Sequence, residues 1–426
     1  MAGRGRFAVL AERDFRLFFT GYAASVLGIS MVPVALTFAV LQQGGSVSDV
    51  GYVLAAQTIP LVALLLFGGV LADRLPRKTV IITADLVRCV NELLLAILLI
   101  TGHAPLWMLV ISAAVLGAGQ SVSLPALSGM APQVVSAERL QDANALRGVA
   151  ESGSRILGPA IAGVVVTSAG AGWAIAIDAA SHAVDAFFLS RLSPPAPQPA
   201  DDGPVWRQLR VGWQEFRSRT WLWVITLHFG LFNMLAVAPF AVLGAVLASE
   251  HFGGAQAWGL LLAAQGIGAM VGGLGALGVR FARPLVVAAL CTMLFALPMI
   301  MLAARAPFAV VVAAAFVTGA GIAIFDMSWE TTLQRNVPPE ALSRVAAYDG
   351  LGSFALLPVG YALVGPLSVA LGDETTVWGS AAWVVATALV VLTVPSVRRL
   401  RHDVPPRPNA APSGPADPAP RTTRPG

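Results

Sequence analysis

The chemistry available to this chain lies in ionisable residues set inside long apolar runs. Asp85, Arg88 and Glu92 follow one another at i, i+3 and i+7, a spacing that puts all three on one face of a helix. Glu151 and Arg155 stand at i and i+4, Asp178, His182 and Asp185 at i, i+4 and i+7, and Asp326 and Glu330 again at i and i+4. Each set reads as a one-sided polar stripe. A carboxyl group in a low-dielectric cavity holds a proton more tightly than in water, and a basic neighbour or a cationic ligand reverses that preference. Such groups can exchange a proton for a ligand, or they can serve as ion pairs that carry polar atoms through an apolar phase. The ion-pair role is favoured for Asp85 and Arg88. Asp326 and Glu330 come near the end of their run, where a solvated interfacial role is equally open.

Other chemistries find no support. His103, His228, His251 and His402 show no metal-ligand spacing, and no residue is assigned to a metal. No phosphate-binding loop, dinucleotide fingerprint or nucleophile elbow occurs, so neither an ATP-driven machine nor an enzyme is expected. Cys89 and Cys291, the two cysteines, each lie within apolar sequence and read as packing residues. The net charge of +4 comes from bases scattered singly between apolar runs, which argues against nucleic acid as a partner.

The elements that position these residues follow from composition. Hydrophobic residues make up 56% of the 426 and charged ones 12%, with a mean hydropathy of +0.74. A soluble domain carries roughly 25% charged residues, so the solvent here must be lipid. Crossing the hydrocarbon takes roughly 20 apolar residues in a helix that satisfies its own backbone. Runs of that length fall at 16–41, 48–72, 79–101, 105–127, 144–168, 172–191, 220–248, 256–279, 284–303, 307–330, 342–370 and 375–395. The expected fold is an all-α membrane protein of 12 transmembrane helices.

Basic residues orient it. Of the 27 Lys and Arg, all but Arg88, Arg155 and Arg305 fall in alternate segments that include both chain ends or, as Arg16, Arg147, Arg191 and Arg344 do, at the adjoining ends of the runs, so both termini are expected in the cytoplasm. A missed helix would scramble this segregation downstream. No removable leader is expected at the start, MAGRGRFAVLAERDF. Lys78 is the only lysine, an arginine bias of the kind high-GC bacterial genomes encode, which points to a bacterial inner membrane.

The organisation is then a cytoplasmic N-terminus at 1–15, a six-helix bundle at 16–191, a cytoplasmic linker at 192–219, a second six-helix bundle at 220–397 and a disordered tail at 398–426. The linker pairs a Pro-rich stretch with a basic, Trp-containing segment able to lie on a membrane surface. The halves echo each other at an offset of about 200 residues. Gly158-Pro159 and Gly163 in one recur as Pro358, Gly360 and Gly365-Pro366 in the other, the internal symmetry of many transporters.

Between the second and third runs lies Gly69-Val-Leu-Ala-Asp73-Arg74-Leu-Pro76-Arg77-Lys78. It resembles the signature loop of the major facilitator superfamily, G-x-x-x-D-R-x-G-R-K, with Pro76 in place of the last glycine. The resemblance implies the major facilitator fold of two pseudo-symmetric bundles. It also implies that Gly69, Asp73, Arg74, Arg77 and Lys78 form a conformational switch that favours the outward-facing state. The matching loop near Gly275 keeps Arg280 and Arg283 but has no acid.

The fifth run carries Ser154, Gly158, Pro159 and Gly163, small residues that let helices approach closely, with a proline that frees a carbonyl. This resembles the antiporter motif found mainly in exporters of the superfamily, with Gly-Pro and the last glycine kept. The run Ala84-Asp85-Leu-Val-Arg88, with Arg155 to Pro159 and Leu333 to Pro338, resembles the enterobactin-exporter and drug-efflux branch. The resemblance implies alternating access around a midplane cavity lined by helices 1, 4, 7 and 10, for which Tyr22, Gln120 and Asn233 are candidates beside Asp326. Expected is a monomeric secondary transporter in the lipid bilayer that exports a small, lipophilic drug, siderophore or secondary metabolite. The proton gradient drives it and no cofactor is needed. An importer on the same fold is the alternative, and a non-transporting receptor or enzyme a remote one.

Overall fold

The computed structural model describes residues 8–193 and 205–401, and no strand occurs among them. The expectations for residues 194–204 and for the tail beyond 401 fall outside the described residues. A short 3-10 turn, Ala8–Ala11, leads into α1 (Arg13–Gln42). There follow α2 (Val47–Arg74), α3 (Arg77–Ile100), α4 (Leu106–Val134), α5 (Leu140–Ala169) and α6 (Ala171–Ser190). After the break come α7 (Val205–Ser218), α8 (Thr220–Phe232), a π-helical segment Asn233–Val237 and α9 (Ala238–His251). The remainder is α10 (Ala255–Gly275), α11 (Pro284–Met293), α12 (Ala296–Ala303), α13 (Phe308–Asn336), α14 (Pro339–Phe354), α15 (Leu357–Leu371), α16 (Asp373–Thr393) and α17 (Pro395–Arg399).

Local chemistry accounts for the boundaries. Ser46 caps α2 reciprocally with Asp49, whose carboxylate accepts from the Ser46 amide at 2.8 Å. Pro298 and Pro358 lie just past the breaks that part α11 from α12 and α14 from α15, where each withholds an amide donor. Pro239 follows the π segment in the same way. Gly170 joins α5 to α6 at φ 96° and ψ 160°, and Gly372 joins α15 to α16 at φ 85° and ψ 152°. Both are left-handed conformations that favour glycine. They stand about 200 residues apart, the offset at which the sequence repeats.

Ten helical runs among the described residues are long and apolar enough to cross a membrane, and three of these join α8 to α9, α11 to α12 and α14 to α15. The helices α3 and α6 miss that standard, and they are the ones that carry Asp85, Arg88 and Glu92 and Asp178, His182 and Asp185. They pack against each other, with α1 along the other side of α6. Helix α2 runs beside α4, and α10 beside α13. Segments before and after the break meet along α5 with α10 and α2 with α15. The core lies between helices, while large apolar side chains such as Phe67 (71% exposed) and Val369 (85%) face outward. Water would penalise that surface and lipid does not.

The amphipathic segment expected in the linker is helix α7, with Trp213 and Phe216 packed on Tyr348 of α14 at ring distances of 5.4 and 6.1 Å.

Candidate functional site

A cavity of about 600 Å³ opens between helices from both sides of the break. Its walls are aromatic: Phe229, Phe232, Phe240, Trp258, Phe295 and Phe325. The rings brace one another, with Phe229 stacked on Phe325 at 4.8 Å and 8°, and Phe295 edge-on to Phe232 at 5.0 Å and to Phe240 at 5.1 Å. The lining includes one acid, Asp326 of α13, and one base, Arg155 of α5. Asn233 lies in the wall within the π segment and is fixed there by its side-chain amide, which donates to the Ser353 carbonyl at 2.9 Å. A volume of this size with few polar groups suits a drug-sized apolar or aromatic molecule. Asp326 among aromatic faces adds an attraction for cationic groups.

The cavity is lopsided. Ser30, Pro33 and Thr37 of α1, Leu54 of α2 and Arg155 and Pro159 of α5 contribute, but α4 does not. Tyr22 and Gln120 are not among the lining residues. The Tyr22 hydroxyl instead donates to Glu151, and its ring lies under the Arg147 guanidinium at 4.9 Å. Ser123 of α4 faces α3 and accepts a hydrogen bond from Arg88 at 3.1 Å.

The polar stripes of α3 and α6 come together elsewhere in the interior. Arg88 Nη2 stands 2.5 Å from Asp85 Oδ1, and the same oxygen lies 3.1 Å from His182 Nδ1. Glu92, Asp178 and Asp185 close the group, and all six side chains are buried. None of them lines the cavity. Asp349 of α14, which sequence reasoning missed, takes hydrogen bonds from Thr226 at 2.6 Å and from the Trp329 indole at 2.9 Å. A lone acid in an apolar run was the available signal.

The α5 residues form a helix crossing. A Cβ at Gly163 would meet the Ala255 carbonyl of α10, and one at Gly259 would strike the Pro159 carbonyl. Gly158 packs the same way on Ser30 of α1, and Ser154 is buried nearby in sequence. On the other crossing, Gly365 of α15 abuts Ser48 of α2.

The side chains of Gly69, Asp73 and Arg74 lie outside the described residues. Beyond them, Arg77 donates to the Gly129 carbonyl at 2.6 Å, and Lys78 to the carbonyls of Ser190 and Leu192 at 2.9 and 2.7 Å. Both bases thus satisfy carbonyls toward the C-terminal ends of α4 and α6, where cations complement the helix dipole. Pro76 takes φ −57° ahead of α3, the angle its ring imposes, so a glycine is not needed there.

Residues 18–355 match the sequence profile of the Major Facilitator Superfamily. The chain is 23% identical over 397 residues to the macrolide efflux protein A of Streptococcus pyogenes, covering 91% of this chain and 97% of that one. It is 29% identical over 274 residues to the enterobactin exporter of Citrobacter koseri, covering 61% and 62%. The crystal structure of a nucleoside transporter, NupG, superposes with a TM-score of 0.70 at 15% identity over 89% of this chain and 99% of that one, a likeness of fold alone.

Proposed function

For a chain that belongs to the Major Facilitator Superfamily, we propose export of a small lipophilic or aromatic compound by alternating access, with proton antiport supplying the energy. It is a transporter and not an enzyme. The observation that carries the proposal is the cavity, walled by stacked aromatics and holding one carboxylate from α13 and one guanidinium from α5. A proton on Asp326 and a cationic or polar group of the ligand compete for the same place, so binding of one favours release of the other. The efflux names of the relatives support the outward direction.

In this reading α3 and α6 also span, their charges turned toward each other and away from lipid. Together with the ten apolar runs they make twelve spans in two six-helix halves, with both termini in the cytoplasm of a bacterium. The protein works as a monomer, with the bilayer and a small molecule as its partners. The glycine contacts of α5 with α10 and of α2 with α15 lie toward the end where α2 and α10 begin, the outer face in this topology. We read the structure as sealed there.

Everted membrane vesicles test the proposal. Acidifying their interior should drive accumulation of a lipophilic aromatic substrate, such as a fluorescent dye or a macrolide, and an uncoupler should abolish it. Uptake by intact cells that needs Asp326 would instead establish an importer.

A further inference from the structure

Glu92 of α3 meets Asp178 and His182 of α6 in the interior, away from the cavity. His182 Nε2 stands 3.9 Å from Glu92 Oε2 and 3.8 Å from Asp178 Oδ1. One donor atom from each residue lies within 4.8 Å of the others, and all three side chains are at most 1% exposed. Both Glu92 oxygens, Asp178 Oδ2 and His182 Nε2 have no hydrogen-bond partner. Buried polar atoms are rarely left so, because each forfeits its hydration.

The histidine is already aimed. Its Nδ1 lies 3.1 Å from Asp85 Oδ1, and Asp85 is neutralised by Arg88. When Nδ1–H donates to that carboxylate, the Nε2 lone pair points at Glu92 and Asp178. A carboxylate behind the imidazole is the arrangement that orients metal-bound histidines.

We propose that Glu92, Asp178 and His182 bind one divalent transition-metal cation, a resident ion that ties α3 to α6. Two carboxylates balance the charge of one such ion, and a mixed oxygen and imidazole set suits Zn²⁺, Mn²⁺, Fe²⁺ or Co²⁺ better than Ca²⁺ or Mg²⁺. Metal–ligand bonds of about 2.0–2.2 Å put tetrahedral neighbours roughly 3.3–3.6 Å apart, so the carboxylate oxygens now at 3.9 and 3.8 Å need to approach His182 Nε2 only slightly, and the two carboxylates to draw together from within 4.8 Å. The second Glu92 oxygen is available for a further bond. Because none of the three residues lines the cavity, the ion is a fixed part of the bundle and not cargo. The proposal is independent of the export reading, and it accounts for how the two helices with facing ionisable stripes pair in the interior. The competing arrangement is protons shared among the carboxyls.

The test uses full-length, tag-free protein in detergent, stripped by chelator, loaded with Co²⁺ or Zn²⁺ and desalted. About one equivalent per chain should remain, Co²⁺ should show visible d–d bands, and Tm should rise with metal. Glu92→Gln and His182→Gln should each lose the equivalent, and Asp85→Asn should weaken binding by about 10–100-fold. Replacing His103, His251 and His402 together by Ala should leave binding intact. If the single variants do not elute as folded protein, the wild-type Co²⁺ spectrum decides. Wild-type protein that retains no metal overturns the proposal in favour of shared protons, and so does retention that survives His182→Gln in a folded chain.

Discussion

Gly163 of α5 lies so close to Ala255 of α10 that a Cβ on the glycine would come within 2.6 Å of the Ala255 carbonyl oxygen. Gly259 returns the contact, its would-be Cβ 3.1 Å from the Gly163 Cα. The two helices therefore touch backbone to backbone at this point, a contact that small residues permit. Such a surface can part and re-form with little repacking, as rocking of two halves requires.

Gly163→Leu should therefore prise α5 from α10. The expected outcome is at least a tenfold loss of transport in vesicles and a destabilisation of about 1–3 kcal/mol, the range for overpacked sites. Thermal unfolding in detergent and dye accumulation measure the two. Unchanged transport would show that the cycle does not require this crossing to close.

Asp326→Asn keeps the shape of the cavity wall and removes its carboxylate. Binding of an uncharged aromatic substrate, followed by tryptophan fluorescence, should survive, while proton movement on substrate addition, followed with a pH dye, should vanish. Proton release equal to wild type would move the coupling role to another acid.

Phe229 and Phe325 stack face to face in the cavity wall. Phe229→Ala should cost a stacked contact of about 0.5–1.5 kcal/mol beyond its buried area, and so weaken an aromatic substrate by roughly 5–30-fold once area is included. A purely aliphatic substrate should lose less, and titration of both ligands separates the cases.

Arg88→Leu strands Asp85 beside His182 without its guanidinium. Breaking a buried pair from one side costs about 3–5 kcal/mol, so this variant should lose more stability than any single change in the cavity wall. By contrast Arg305→Ala removes a pair with Glu374 whose partners are 62% and 42% exposed, and it should leave Tm nearly unchanged. Parallel melting curves check both.

Much of this was legible before any fold was known. Apolar composition names lipid as the solvent, and helix period alone puts Asp85, Arg88 and Glu92 on one face, because both are local properties of the chain. Glycine and proline positions likewise marked α5 as a close-packing helix, while only the family resemblance pointed to Asp326 and Asn233, together with Tyr22 and Gln120, as candidates for a cavity. The partners of those faces were not local. Spacing could not say that the stripe on α3 meets the stripe on α6, that His182 sits between Asp85 and Glu92, or that Tyr22 turns to Glu151 and α4 stays out of the cavity. Those outcomes depend on which helices become neighbours and how each rotates about its axis. Packing between segments far apart in the chain sets both, and only the tertiary structure decided them.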